Sequence, residues 1–143
     1  MIDIKPAKKG DLLKLIEIEK DVFEGSLYLE EFEKYLNEDT INIWKISTLK
    51  IIGFVCFYHV KDEIEIIQMG IIKSYQRKNY GSLIINKIKK INNIRKIFIE
   101  VSVENTHAIN FYLKNSFKKI GLRKAYYKGN KKRIDALRLS FEF

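Results

Sequence analysis

The spacing of apolar residues changes from helical to strand-like within the first half of the chain. After Asp11, a candidate helix cap, the residues Leu12, Leu15, Ile16 and Val22 recur near one face of a helix. Further along, three apolar runs are separated by short turns, which predicts strands that pair as an antiparallel meander. The elements predicted here are a strand at residues 2–5, helices at 11–22 and 29–36, and strands at 41–47, 51–60 and 63–72.

In the second half of the chain, single helices and strands alternate. Ile84, Ile88 and Ile91 recur at helical spacing, and Thr106 is a candidate cap for a later helix. The predicted elements are a helix at residues 80–91, a strand at 94–101, a helix at 106–114 and strands at 117–123 and 133–141. The complete order, β-α-α-β-β-β-α-β-α-β-β, predicts an α/β fold in which helices cover both faces of a mixed, mostly antiparallel sheet.

The composition is typical of a single domain spanning residues 1–143. The chain is 46% hydrophobic, which is enough to bury a core. Cys56 has no second cysteine to pair with, so a reducing, cytoplasmic setting is the default expectation. The N-terminus lacks the layout of a signal peptide, and the longest apolar run, at 51–60, is shorter than the roughly 18 residues of a membrane span. We therefore expect no membrane association.

The net charge of +9 has two interpretations. It arises from 27 Lys and Arg against 18 Asp and Glu, and a basic surface attracts polyanions such as nucleic acid, the ribosome or a phosphorylated cofactor. Heavy use of Lys, Ile and Asn is also typical of an AT-rich coding bias. Because the lysines are scattered rather than clustered on one element, the pattern favours the compositional explanation.

A strand-to-helix turn at residues 76–81 is the first indication of chemistry. Such a turn presents backbone N–H groups at the helix start, and these groups form an anion site together with the positive end of the helix dipole. The turn, called the 76–81 loop below, reads Gln76-Arg77-Lys78-Asn79-Tyr80-Gly81. Alone, it predicts only a phosphate-binding turn.

The 76–81 loop resembles the Gln/Arg-x-x-Gly-x-Gly/Ala loop with which the GNAT superfamily of N-acetyltransferases binds the pyrophosphate of acetyl-coenzyme A. Asn79 stands where that superfamily has its first glycine. After glycine, asparagine is the residue that best tolerates a positive φ, so the anion site should survive. If the loop is built as in the family, Asn79 should adopt a positive φ.

Downstream segments resemble the ribosomal-protein-alanine N-acetyltransferases within this superfamily. Residues 99–105 are similar to a Leu-Glu-Val-x-x-x-Asn segment, residues 108–117 to Ala-Ile-x-Leu-Tyr…Gly-Phe, and residues 123–127 to Arg-Arg-Asn-Tyr-Tyr. One departure is Ser116, which replaces a usual glycine and is expected to affect a helix end rather than chemistry. The resemblance implies a GNAT fold and acetyl transfer from acetyl-CoA to a primary amine. The implied acceptor is a protein N-terminal α-amino group, such as that of a ribosomal protein.

The resemblance also implies where acetyl-CoA binds. In the family, the thioester lies where two neighbouring parallel strands splay apart, here the strands at 63–72 and 94–101. The backbone of Met69, Gly70 and Ile71 would pair with the pantetheine arm like an added strand, and the N–H of Ile71 is the candidate oxyanion donor. Gly70 suits a bulge or a close backbone approach. The other implied cofactor-binding residues are Gln76, Arg77, Lys78, Asn79, Tyr80, Gly81, Ser82 and Asn105.

Two residues are implied to catalyse a direct attack without an acetyl-enzyme intermediate. Glu100, near the end of a buried-looking strand, is the candidate general base, although it could instead cap a backbone group or pair with a lysine. Tyr112 is the candidate general acid for the departing thiolate, although an inward aromatic residue on a short helix is usually core. Asn105 is either a cofactor ligand or a helix cap.

Other features leave the acceptor open. Residues 24–28 replace a Pro-Trp-containing segment that shapes the acceptor pocket in this subfamily, so a lysine, a polyamine or another small amine is an alternative. A basic RNA- or ribosome-binding module without activity is a hypothesis from a different class. Tyr126 and Tyr127 either line the acceptor site or pack on the hairpin.

His59 and His107 lack further ligands at metal-binding spacing, so no metal is expected. The pattern leaves both a monomer and a homodimer open.

Overall fold

The described residues of the computed structural model, 1–23, 29–128 and 133–143, form one seven-stranded sheet with two helices on each face. The strands are β1 (Asp3–Pro6), β2 (Ile41–Ser47), β3 (Ile51–Val60), β4 (Glu63–Ile71), β5 (Lys96–Ser102), β6 (Lys118–Lys128) and β7 (Arg133–Glu142). The helices are α1 (Leu12–Phe23), α2 (Leu29–Leu36), α3 (Tyr80–Lys89) and α4 (Thr106–Lys114), with short 3₁₀ turns at Lys9–Asp11 and Lys73–Tyr75. The sheet order is β1-β2-β3-β4-β5-β7-β6, and only β4 and β5 of these described neighbours are parallel.

The predicted order of elements is confirmed. Helix α2 and strands β2 and β3 begin and end at the predicted residues, whereas β6 continues beyond residue 123 because its ladder with β7 resumes after an irregularity. Residues 24–28 and the loop at 129–132 lie outside the described residues, as do the side chains of Tyr126 and Tyr127. The predictions made for them stay predictions.

Two helix starts differ from the sequence prediction. Asp11 lies in a 3₁₀ turn, where its carboxylate accepts the backbone N–H of Lys8 at 2.8 Å, and α1 begins at the next residue. At α4, Thr106 is the first helical residue rather than the cap. The cap is Asn105, whose side-chain oxygen accepts the backbone N–H of Ala108 at 3.1 Å. Asn105 therefore has one of the two roles predicted for it.

Two hydrophobic cores lie on opposite faces of the sheet. Helices α1 and α2 cover one face, and α3 and α4 cover the other. Strand β3 serves both cores, because its successive residues Phe54, Val55, Cys56 and Phe57 are at most 1% exposed. This continuous burial confirms the prediction of a central strand. Full burial of each large apolar side chain contributes roughly 1.5–3 kcal/mol.

The buried face of α1 is wider than the predicted one. Leu12 and Leu15 are buried as expected, but Ile16 and Val22 are half-buried. Ile16 and Val22 still pack against the core, and Ile18 and Glu19 are buried as well, Glu19 fully. The apolar pattern could not predict this, because a carboxylate is seldom fully buried in proteins.

Strands β4 and β5 pair along only part of their length. Their parallel register runs from Glu63 and Lys96 to Ile66 and Ile99, and then it ends. On its other side, β4 has a bulge at the same point, since Phe57 pairs with Ile66 and Cys56 with Gln68, leaving Ile67 extra. The two strands therefore splay apart immediately after Ile66.

The sequence predicted a bulge or a close backbone approach at Gly70, and Gly70 does not form a bulge. Its importance is steric, because a Cβ at this position would lie 2.9 Å from a ring carbon of Phe23 and 3.3 Å from one of Phe54. The bulge lies three residues earlier, at Ile67. The rings of Phe23 and Phe54 therefore occupy the space that a side chain at Gly70 would need.

Helix α4 ends in a Schellman motif built around a serine. Ser116 has a φ of 73°, and the N–H groups of Ser116 and Phe117 donate to the carbonyls of Leu113 and Tyr112. The rings of Phe117 and Tyr112 also touch, with centroids 5.2 Å apart. The departure at Ser116 thus affects a helix end, as the sequence predicted, and the motif holds Tyr112 in place.

We predict that Ser116→Gly stabilises the fold by about 0.5–1 kcal/mol, because relief of the left-handed strain outweighs the added freedom of an unfolded glycine. Urea denaturation of the two proteins measures the difference. Ser116→Ala is the matched control, since it removes the hydroxyl but keeps the Cβ, and it should bring no gain. Equal stabilisation by both variants would show that the strain argument is wrong.

Candidate active site

A cavity of about 800 Å³ opens between the end of β4, the start of α3 and one side of α4. Every residue predicted to bind the cofactor lies around it, together with Tyr112. These residues are Met69, Gly70, Ile71, Gln76, Arg77, Lys78, Asn79, Tyr80, Gly81, Ser82 and Asn105. The fold therefore brings three separate stretches of sequence to one site.

The 76–81 loop contains two residues in the left-handed region. Asn79 has φ 71° and ψ 8°, which confirms the positive φ expected of it, and Arg77 has a φ of 62° that the sequence did not predict. The side chain of Gln76 ties the loop to β4 by donating to the carbonyl of Ile71 at 2.8 Å. This geometry aims the N-terminus of α3 at the cavity, where its backbone N–H groups favour an anion.

Gly81 has a packing role that its motif did not indicate. A Cβ at this position would lie 3.0 Å from two ring carbons of Phe111, which is closer than a side chain normally comes. The absence of a Cβ therefore lets the first turn of α3 approach α4 closely. As a result, the anion-binding turn and the helix that carries Tyr112 border the same cavity.

Tyr112 lies at the cavity in an aromatic environment. Its side chain is only 4% exposed, and its ring packs edge-on against Phe111 and Phe117 at centroid distances of 5.0 and 5.2 Å. Burial raises the pKa of the Tyr112 phenol above its usual range. The phenol therefore keeps its proton at neutral and moderately alkaline pH, as a general acid must.

Glu100 lies on the opposite face of the sheet from Tyr112. Its neighbours Ile99 and Val101 are buried in the core that contains Tyr112, and side chains alternate along a strand, so Glu100 faces the other way. It is not among the residues that line the large cavity. Glu100 lies one residue beyond the last β4–β5 pair, beside the point where the two strands separate.

Two arginines pair with the Glu100 carboxylate, for which the sequence left pairing with a lysine as an alternative to catalysis. Its Oε1 atom lies 3.0 Å from Nη2 of Arg123 and 3.4 Å from Nε of Arg138, and the side chain is 10% exposed. Burial of a charged carboxylate requires such compensation. Arg138 is directly opposite Glu100 on β7, whereas Arg123 reaches it from β6.

Glu65 joins this polar face and was missed by the sequence reasoning. Burial and the charge of Glu100 raise its pKa, although Arg138 and Arg123 oppose the shift. The only signal in the sequence was the alternation of Glu63 and Glu65 with isoleucines, which predicts a polar strand face but no particular neighbour. The described residues contain no group of three or more His, Cys, Asp or Glu arranged to hold a metal.

The family model described as the acetyltransferase (GNAT) family matches residues 11–117. The chain belongs to this family. It is 30% identical over 125 residues to the [ribosomal protein bS18]-alanine N-acetyltransferase of Haemophilus influenzae, a match that covers 82% of each protein. The family and this relative identify the chain as an N-acetyltransferase. Over the described residues, no helix of this acetyltransferase is long and apolar enough to cross a membrane.

Solved acetyltransferases share the fold. The ribosomal-protein-S18-alanine N-acetyltransferase of Escherichia coli superposes with a TM-score of 0.88 at 21% identity, over 99% of this chain and 94% of that one. The spermidine N-acetyltransferase of Vibrio cholerae, solved with CoA and spermine, gives 0.82 at 20% identity, over 99% and 95%. At these identities the likeness shows a shared fold and no more. In the two solved proteins this fold serves different acceptors.

We predict that Asn79→Ala weakens CoA binding about fivefold, whereas Asn79→Gly binds as well as the native acetyltransferase. Alanine in the left-handed region costs about 1 kcal/mol, so the free loop relaxes and the ligand must restore it. Isothermal titration calorimetry with CoA measures the effect. Asn86→Ala, on the exposed side of α3, is the control and should leave affinity unchanged. Equal affinities for the alanine and glycine variants at position 79 would contradict the prediction.

Proposed function

We propose that this protein transfers the acetyl group of acetyl-CoA to the α-amino group of a protein N-terminus, with a ribosomal protein as the acceptor. One observation carries the proposal: the opening between β4 and β5 lies between the cavity with Tyr112 and the face with Glu100. A thioester in this opening would be reached by the acceptor from one side and by a proton donor from the other. The relative from Haemophilus influenzae supports the choice of acceptor.

The cavity residues fit acetyl-CoA. The cavity volume of about 800 Å³ suits an elongated ligand, and its wall contains the start of α3 for a pyrophosphate together with the cations Arg77 and Lys78. Along the other wall, Met69, Gly70 and Ile71 lie beyond the last β5 pair, so this edge of β4 is available to an added strand such as pantetheine. The V. cholerae structure with CoA supports the same ligand class.

In the proposed mechanism, Glu100 and Tyr112 act from opposite faces of the sheet. An α-amino group has a pKa of roughly 8, so a single carboxylate, directly or through water, is a sufficient base to make it a nucleophile. The N–H of Ile71 would stabilise the oxyanion, and the Tyr112 phenol would protonate the departing thiolate. Burial raises the pKa of the Cys56 thiol, which opposes a cysteine acetyl-enzyme and supports direct attack.

A polyamine or a lysine side chain is the alternative acceptor. Both carry amines with pKa values about two units higher than an α-amino group, and both therefore require more help from a base. A non-catalytic RNA- or ribosome-binding module is the remaining alternative, and it depends only on the net charge of +9. The cavity and its Tyr112 favour an enzyme over a binding module.

The acceptor class can be tested by a screen. We expect acetyl-CoA and peptides beginning with Ala, Ser or Met to release free CoA thiol, with mass spectrometry locating the acetyl group on the α-amine. Spermine and peptides with a blocked N-terminus and an internal lysine are the competing substrates. Faster turnover of either would overturn the proposed acceptor, and no thiol release with any amine would overturn the enzymatic role.

Glu100→Gln and Tyr112→Phe belong to the same test. Each should lower kcat by about 10²–10⁴-fold, the usual range for loss of general acid or base catalysis, while the Kd for CoA changes less than about threefold. Lys119→Gln, an exposed change on β6 outside the proposed site, is the control. Loss of CoA binding in either variant would indicate a structural role instead.

We also predict that activity rises with pH and does not fall again below about pH 10. The acceptor α-amine loses its proton near pH 8, which increases the rate. Because the pKa of Tyr112 is raised, the phenol remains protonated and can still donate where an ordinary tyrosine would begin to ionise. A profile of kcat/KM between about pH 6 and 10 measures this. A decline above about pH 8.5 that is absent in Tyr112→Phe would contradict it.

A further inference from the structure

Glu19 is the fully buried carboxylate of α1 that no catalytic step uses. Its Oε2 atom accepts a hydrogen bond from the side-chain amide of Gln68 at 3.1 Å. The two residues are 49 positions apart in sequence, and neither belongs to a recognised motif. A buried hydrogen bond is directional and costly to break, so this contact fixes the position of Gln68 relative to α1.

Gln68 lies at the point where the sheet opens. It is the first residue of β4 to pair with β3 after the bulge at Ile67, and the last β5 pair is at Ile66. The next three residues, Met69, Gly70 and Ile71, border the cofactor cavity. The position of Gln68 therefore determines where this backbone segment begins.

A second contact between α1 and β4 lies one helical turn further along. The ring of Phe23 is so close to Gly70 that a Cβ there would lie 2.9 Å from it. Four residues of helix, from Glu19 to Phe23, span about 6 Å, and two residues of strand, from Gln68 to Gly70, span about 6.6 Å. The two spacings match, so the last turn of α1 runs alongside β4 and holds it at two points.

A third contact continues the series. The carboxylate of Asp21 accepts the backbone N–H of Lys73 at 3.3 Å, just beyond the end of β4. The end of α1 thus touches the chain before, within and after the segment that is proposed to pair with pantetheine. Neither β5 nor α3 supports this segment from the same side, because β5 has separated and α3 packs on the other face.

We infer that Glu19 is a positioning residue for acetyl transfer: through Gln68 it sets the bulge and the width of the opening between β4 and β5. The inference rests on the proposed function of the opening. It concerns the placement of the backbone N–H of Ile71 relative to the thioester, rather than binding of the pyrophosphate, which the 76–81 loop performs. Loss of the hydrogen bond between Glu19 and Gln68 therefore lowers kcat more than it lowers the affinity for CoA.

The test exchanges the donor and the acceptor of the Glu19–Gln68 hydrogen bond in two steps. Gln68→Glu places a second carboxylate against Glu19, and kcat falls about 10–100-fold, as expected for a small misplacement of reacting groups, while the Kd for CoA changes less than about threefold. Adding Glu19→Gln restores a donor and an acceptor in the opposite order. The double variant recovers kcat to within about threefold of the native value. Glu17→Gln, on the exposed side of α1, is the matched control and leaves kcat unchanged.

The outcomes separate a positioning role from a merely structural one. If Gln68→Glu lowers the melting temperature but leaves kcat unchanged, or if the double variant recovers stability without kcat, the inference is overturned. The backbone amide NMR shifts of residues 69–71 in the CoA complex provide a readout without an acceptor, and they should move in Gln68→Glu and return in the double variant. Failure of the native protein to acetylate any amine would overturn the proposed function, while unmoved shifts would overturn the inference about Glu19.

Discussion

The interruption of backbone pairing between β4 and β5 is the constraint on which the functional region depends. Two parallel strands that stop pairing at Ile66 and Ile99 leave backbone groups facing an opening instead of each other. Unpaired backbone groups inside a protein are costly, so such an opening is maintained only where something else occupies it or where the surroundings enforce it. Here β3 holds β4 on one side and β7 holds β5 on the other, while the bulge at Ile67 turns β4 away. The cavity, the Glu100 face and the α1 contacts are all arranged around this interruption.

Residues other than glycine occupy strained turns in the 76–81 loop and at the end of α4. Arg77 and Asn79 in the loop, and Ser116 after α4, all have a positive φ. Each such residue has an energetic cost, and that cost is tolerated only where several contacts determine the conformation. Gln76 anchors the loop to Ile71, and the Schellman hydrogen bonds fix Ser116. Gly70 and Gly81 have a different purpose, since they admit aromatic rings more closely than a Cβ normally comes.

The two candidate catalytic groups are kept in opposite electrostatic environments. Tyr112 is enclosed by aromatic rings, and this apolar burial keeps its proton in place. Glu100 is compensated by two guanidinium groups on the other face, which permits a charged carboxylate at low exposure. One candidate group is therefore surrounded by aromatic rings and the other by cations. The sheet separates them, and the end of the β4–β5 pairing lies between them.

Local patterns in the sequence determined the order of elements, and the family resemblance implied the residues around the cavity. Periodicity identifies helices and strands, and a contiguous motif such as the 76–81 loop keeps its geometry because its hydrogen bonds are made within a few residues. Only the tertiary structure decided the bulge at Ile67, the arginine partners of Glu100, the approach of Phe111 to Gly81 and the contact of Glu19 with Gln68. Each of these joins residues far apart in the chain, and hydrophobic periodicity records which face a residue occupies but not which distant side chain it meets.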